Sequence, residues 1–211
     1  MSILSEMSAS LQKGKANDVK EMVQTALSDG LGAKEILEEG LLSGMGIVGA
    51  KFKNNEVFVP EVLIAARAMN AGMEILKPAL ASADLEPKGK AVVGTVKGDL
   101  HDIGKNLVII MFEGKGIEVI DVGTDVSPEV FVETAIKEGA NIIACSALLT
   151  TTMAAMKEVV STVQEKGVAD KITVMVGGAP VTQAFCDTIG ADYYAADAAT
   201  ASEGALALSK S

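Results

Sequence analysis

Residues 91–104 read AVVGTVKGDLHDIG, from Ala91 to Gly104. A short valine-rich run, then a turn, then the start of a helical stretch is the signature of one strand–loop–helix unit. The unit recurs downstream: IEVIDV from Ile117, NIIAC from Asn141, ITVMV from Ile172 and YYAA from Tyr193 read as further strands. Helices are expected near Ile103, Pro128, Thr151, Val181 and Ala198, with Ser127 as N-cap before Pro128. Five such alternations imply an α/β domain, its sheet parallel and covered by helices on both faces.

Upstream of Lys90 the period changes. Apolar residues recur at three and four, without alternation, so only helices are expected. Leu37, Leu41, Met45, Val48 and Phe52 form one stripe, and Val62, Met69, Met73, Leu76 and Leu80 another, on a helix that Pro60 suits in its first turn. Val19, Met22, Val23, Ala26 and Leu27 form a third, and the opening residues add a fourth helix. The expectation is a four-helix bundle over 1–88 followed, after the linker SADLEPKGK at 82–90, by a five-stranded parallel doubly wound domain of flavodoxin-like Rossmann type over 89–211.

Composition narrows the function. Eighteen basic against 28 acidic residues leave a net charge of -10, which repels phosphate backbones and anionic lipid, so no nucleic acid and no membrane is expected as a partner. No apolar run reaches the length of a membrane span, and MSILSEMSASLQKGK resembles no leader, so a cytoplasmic protein is expected. Cys145 and Cys186 stand too far apart for a redox or zinc pair and read as two buried thiols. No phosphate-binding or dinucleotide glycine fingerprint occurs, and the single histidine has no nucleophile elbow beside it. A flavin carrier fits the fold, but the chain has no Trp and only two Tyr to stack on a flavin ring.

In such a sheet, ligands bind beyond the carboxyl ends of the strands. The strand-end loops are GDLHDIG, GTDVS, SALLTTT and GGAP. In the first, Asp99 and His101 are two residues apart, so their side chains leave an extended chain on one side and the carboxylate can hold the far nitrogen of a metal-binding imidazole. Gly104 would let the helix start lie close under a bulky ligand. On these residues alone, a histidine that merely caps the helix, with Asp102 as a surface charge, is the other reading.

Asp99-x-His101-x-x-Gly104 resembles the D-x-H-x-x-G signature of cobalamin-binding domains. Ser146-x-Leu148 and Gly177-Gly178, at the ends of the third and fourth strands, resemble that family's S-x-L and G-G elements. The resemblance implies that His101 is the lower axial ligand to cobalt, with Gly98, Asp99, Asp102, Ile103 and Gly104 around it. The displaced nucleotide tail would thread a slot opened by Ser146, Ala147, Gly177, Gly178 and Ala179, with Leu148, Thr150, Thr151 and Thr152 beside it. Thr152 matches the position where relatives complete an Asp-His-Ser relay. Tyr194 and Asp197 match a region lining the end of the tail.

Met45-x-x-Val48-Gly49-x-x-Phe52 and Glu56-x-Phe58-x-Pro60-x-Val62-Leu63 resemble the helical cap of methionine synthase and of methanogen and acetogen corrinoid proteins. Relatives carry Gly where this chain has Asn55, a residue that tolerates positive φ. In relatives the cap shields the upper face of the corrin, which makes Met45, Val48, Phe52 and Met69 candidates for apolar contact there. The whole resemblance implies a methyl carrier using methylcobalamin or a related corrinoid, with Asp99, His101 and Thr152 at its chemical centre. A cognate substrate methyltransferase would load it, a second acting on tetrahydrofolate or a thiol would unload it, and a reductive activase would restore it. SALLTTTM and VGGAPVT resemble the methylamine branch. The alternative is the cobalamin-binding subunit of an adenosylcobalamin-dependent mutase; a sensor would normally add a signalling module.

Overall fold

The computed structural model describes residues 2–82 and 87–209. Of the linker expected at 82–90, Ala83 to Glu86 lie outside the described residues. The chain divides into two compact units, Met1–Glu86 and Pro87–Ser211.

The first unit is helical: α1 Ile3–Gln12, α2 Ala16–Ser28, α3 Ala33–Glu35, a π-helical segment Ile36–Leu42, α4 Ser43–Lys53 and α5 Val59–Ser82. Helix α1 buries Leu4, Met7, Ser8 and Leu11, one face at three- and four-residue spacing. Helix α3, the π segment and α4 run on without leaving helical backbone. The wider π turn moves the stripe expected from Leu37. Ile36 is buried instead, Leu37 only half-buried, and the buried series continues five residues on at Leu41, then at Met45 and Val48. Helix α4 ends in a left-handed residue, Asn55 (φ 59), and the Glu56 amide reaches back to the Lys51 carbonyl.

The second unit alternates β1 Gly89–Val96, α6 Ile103–Glu113, β2 Ile117–Val126, α7 Pro128–Glu138, β3 Ile142–Ser146, α8 Ala154–Glu165, β4 Thr173–Gly177, α9 Gln183–Ile189, β5 Tyr193–Ala195 and α10 Ala198–Leu208. All strand pairs are parallel, in the order β2-β1-β3-β4-β5. The order reverses between β1 and β3, so a crevice opens beyond their carboxyl ends. Alternate strand residues feed two cores: Val92, Ile143, Cys145, Val174 and Val176 pack with α7, α8 and α9, whereas Ala91, Val93, Ile142, Ala144 and Met175 pack with α6 and α10.

The start of α8 differs from the sequence reading. Helix α8 starts at Ala154, not near Thr151, because residues 150–153 form a turn that the Thr152 hydroxyl braces on the Leu149 carbonyl (2.9 Å). Ser127 occupies the N-cap of α7 with extended backbone but makes no side-chain cap bond. Ser127 instead helps to hold the Glu129 carboxyl below its ordinary range. The two thiols are buried; burial pushes Cys145 up to about 12, so it stays protonated and inert.

Strand β2 continues past its expected end through a bulge, where Val93 pairs with Asp121 and Gly94 with Gly123. Asp121 accepts the Gly123 amide (2.9 Å), and both its oxygens lie 2.6 Å from Nζ of Lys105, a cation buried in the first turn of α6. Asp121→Ala would leave that ammonium without its carboxylate, and a loss of about 1–3 kcal/mol is expected in urea unfolding. Lys105→Met, which removes the charge and keeps the apolar stem, should cost less.

Candidate functional site

Strand β1 delivers the loop 97–102 to the reversal point, and strand β3 delivers 147–153 beside it. Asp99 joins them. Its side chain is fully buried, and a buried carboxylate needs donors. Oδ1 takes the His101 amide (3.1 Å) and lies 2.7 Å from His101 Nδ1. Oδ2 accepts from the Leu148 amide (2.8 Å), the Leu149 amide (3.2 Å) and the Thr152 hydroxyl (2.8 Å). Burial alone would raise the pKa of Asp99. The Leu148 amide, the His101 imidazole, the Thr152 hydroxyl and the His101 amide outweigh it and hold the carboxyl well below the usual carboxylate range. Asp99 is therefore an anion at neutral pH, and Nδ1 of a neutral His101 carries the proton that faces it. The lone pair is then on Nε2.

The imidazole lies at the surface, its side chain about half exposed at 51%. Around it stand large apolar side chains that water would not ordinarily be left to cover: Leu100 (72% exposed), Ile103 (75%), Leu148 (44%) and Leu149 (42%). Open space lies where a side chain on Gly104 would go. Asp102 is exposed at the N-cap of α6, makes no cap bond and accepts weakly from Asn106 Nδ2 (3.4 Å). Gly98 turns the chain at φ 84.

Beyond β4, Gly178 has φ 126, and a Cβ there would fall 1.9 Å from the Ala147 carbonyl oxygen, so only glycine lets the β3 and β4 loops approach this closely. Ser146 is paired in register with both Thr95 and Gly177. Thr150 and Thr151 are exposed, and Thr152 is buried on Asp99. Tyr194 is half-buried against the core, and Asp197 caps α10 through the Thr200 amide (2.8 Å) and hydroxyl (2.9 Å). Neither residue makes a hydrogen bond to Asp99 or His101. In the helical unit, Met45, Val48 and Met69 are buried and Phe52 is half-buried, whereas Ile47, Phe58, Leu63 and Ile64 are exposed.

Two further residues brace the His101 loop, Thr95 and Asp125; Lys105, in the helix that follows, is held instead by Asp121 of β2. Spacing gave no hint of Thr95 and Asp125, since each sits in a run that reads simply as strand or turn. Lys105, beside the signature, was visible but carried no partner in sequence.

The donor set is a test of fit. Among the described residues no cluster of three or more His, Cys, Asp or Glu could hold a free metal ion. One imidazole nitrogen amid apolar side chains instead suits a metal that brings its equatorial ligands with it, in a flat macrocycle.

A B12 binding domain profile matches residues 89–209, and a second B12 binding domain profile matches 3–77. The chain belongs to the B12-binding corrinoid proteins. It is 43% identical to a corrinoid protein from Desulfitobacterium hafniense (strain Y51) over 96% of this chain and 95% of that one. It is 43% identical to dimethylamine corrinoid protein 1 of Methanosarcina mazei over 94% and 92%. The fold matches a methanol:cobalamin methyltransferase complex from Methanosarcina barkeri with TM-score 0.89 and 33% identity, over 99% of this chain and 80% of that one. No helix among the described residues is long and apolar enough to cross a membrane.

Asp99 binds fewer protons folded than unfolded, because its folded pKa lies below that of an ordinary aspartate. Its contribution is therefore present at neutral pH and lost as pH falls below about 4. Asp99→Asn, which turns an amide toward the Leu148 and Leu149 N–H groups, should be markedly less stable than wild type at about pH 7. The gap should narrow at about pH 3, as read by urea unfolding at both values.

Proposed function

We propose that this corrinoid protein is a methyl carrier that receives its methyl group from a methylamine methyltransferase and surrenders it to a second methyltransferase acting on tetrahydrofolate or a thiol. The observation that carries this reading is the half-exposed His101, with Nδ1 committed to an anionic Asp99 and Nε2 free to bind metal. When bound, the cobalt of a corrinoid supplies the nucleophilic and methyl-accepting chemistry that no side chain of this chain could.

The protein's part is placement. His101 would offer Nε2 as axial ligand, and Asp99 fixes its tautomer and raises its basicity. Leu100, Ile103, Leu148 and Leu149 would lie against the macrocycle, giving up water-exposed apolar surface as they do so. Ser146, Ala147, Gly177, Gly178 and Ala179 would line the slot for the nucleotide tail, with Tyr194 and Asp197 toward its end. Thr152 would complete the relay by donating to Asp99, and Thr150 would serve the amides of the ligand. In the family resemblance the helical domain, residues 1–88, would shield the cofactor through Met45, Val48, Phe52 and Met69, of which only Phe52 has part of its side chain at the surface. The exposed Ile47, Phe58, Leu63 and Ile64 compete for that role. Residues 89–211 are the cobalamin-binding domain, and a reductive activase would be a third partner.

Methylamine as donor class is favoured by relatives named for di- and trimethylamine. Such relatives also leave the mutase alternative without support.

Reconstituted with hydroxocobalamin, the wild type should show a histidine-ligated visible spectrum that His101→Ala lacks; identical spectra would remove the ligation. After chemical reduction of the bound cofactor to cobalt(I), incubation with mono-, di- and trimethylamine and their cognate methyltransferases should methylate it with release of the demethylated amine, and His101→Ala should slow this step at least about tenfold. Methylation only by a methanol-specific partner would reassign the donor, and an adenosyl group on cofactor extracted from cells would favour the mutase.

A further inference from the structure

Both backbone polar groups of His101 are occupied. Its amide donates to Asp99 Oδ1, and its carbonyl accepts from the Thr95 hydroxyl at 2.8 Å. Thr95 is fully buried on β1, where its side chain has little choice of direction, and the bond spans the whole turn from strand to helix. A second clamp comes from β2. The Asp125 amide donates to the Asp99 carbonyl (3.0 Å), and Asp125 Oδ1 accepts the Gly98 amide (2.7 Å). Asp125 does this with φ 56, a left-handed conformation that non-glycine residues hold only when their surroundings demand it. The two bonds to residues 98 and 99 are that demand.

A loop fixed at Gly98, Asp99 and His101 from both neighbouring strand ends holds the backbone that carries the imidazole, as the Asp99 carboxylate holds the ring itself. Resting on the axial-ligand reading above, we propose that Thr95 and Asp125 are positioning residues for the cobalt ligand: they set the height and direction from which Nε2 is presented, without touching the cofactor themselves.

The test compares two loss variants with their conservative partners in the full chain. Thr95→Val keeps shape and burial but removes the hydroxyl; Thr95→Ser restores it. Asp125→Gly accommodates positive φ but removes the carboxylate; Asp125→Asn keeps an acceptor and a residue at home in that conformation. Amide hydrogen exchange of residues 98–104 is measured in the cofactor-free protein. In protein labelled with 15N-histidine, loaded with cobalamin and reduced to cobalt(II), the fraction of metal with the protein's axial nitrogen is read from the doublet superhyperfine splitting in the electron paramagnetic resonance spectrum, which the unlabelled base of the cofactor, a triplet, does not give.

Thr95→Val and Asp125→Gly should each speed exchange about tenfold, the equivalent of one lost hydrogen bond, and lower the nitrogen-ligated fraction. Thr95→Ser and Asp125→Asn should stay near wild type on both. Unchanged exchange in both loss variants would overturn the proposal. So would faster exchange with an unaltered ligated fraction, which would leave the two residues a structural role only. If wild type and His101→Ala give the same spectrum, ligation itself fails, and the exchange data still decide whether the clamps exist. Should Thr95→Val fail to fold, the exposed Asp125 pair carries the comparison alone.

Discussion

A carboxylate sealed from water at the end of a parallel strand must be satisfied by the protein, and Asp99 is satisfied from two loops at once. Two of its donors belong to His101, in its own loop, and three belong to Leu148, Leu149 and Thr152, in the loop after the strand on the far side of the sheet reversal. One buried charge thereby orients the imidazole and fastens the two strand ends between which a ligand would enter. Neutral donors could not make so many bonds to a single neutral acceptor; the negative charge is what draws them together.

The sheet makes this economical. In the order β2-β1-β3-β4-β5, the first and third strands are neighbours whose connections leave toward opposite faces. Their loops diverge and leave a crevice without any special insertion. Around it the chain sets apolar residues outward, at Leu100, Ile103, Leu148 and Leu149, in a protein whose surface is otherwise strongly acidic. Such a rim is costly in water unless something flat and apolar covers it, which the family membership supplies in the form of a corrinoid.

Much of this was legible in residue order. Valine-rich runs announced five strands, and short elements after the first, third and fourth strands pointed to the loops in which Asp99, His101, Leu148 and Thr152 meet. The four-helix character of the first unit followed from three- and four-residue spacing. The reading slipped where a local rule was overridden: at Ile36, because a π turn advances the stripe by an extra residue, and at residues 150–153, because Thr152 is held back by Asp99 and Leu149 and delays the helix. Positive φ at Asn55 was anticipated from the residue type, whereas the same conformation at Asp125 was not, since nothing near it in sequence shows the partner that enforces it.

The sequence by itself determined the class of the fold, its division into a helical and an α/β part, and the pairing of Asp99 with His101. Each depends on neighbours within a few positions, where periodicity and the geometry of an extended chain leave few choices. Only the tertiary structure decided what else holds that pair. Thr95, Asp125 and the amides of Leu148 and Leu149 reach the loop from separate strand ends, and hydrogen bonds between separate strands leave no periodic trace in the order of residues.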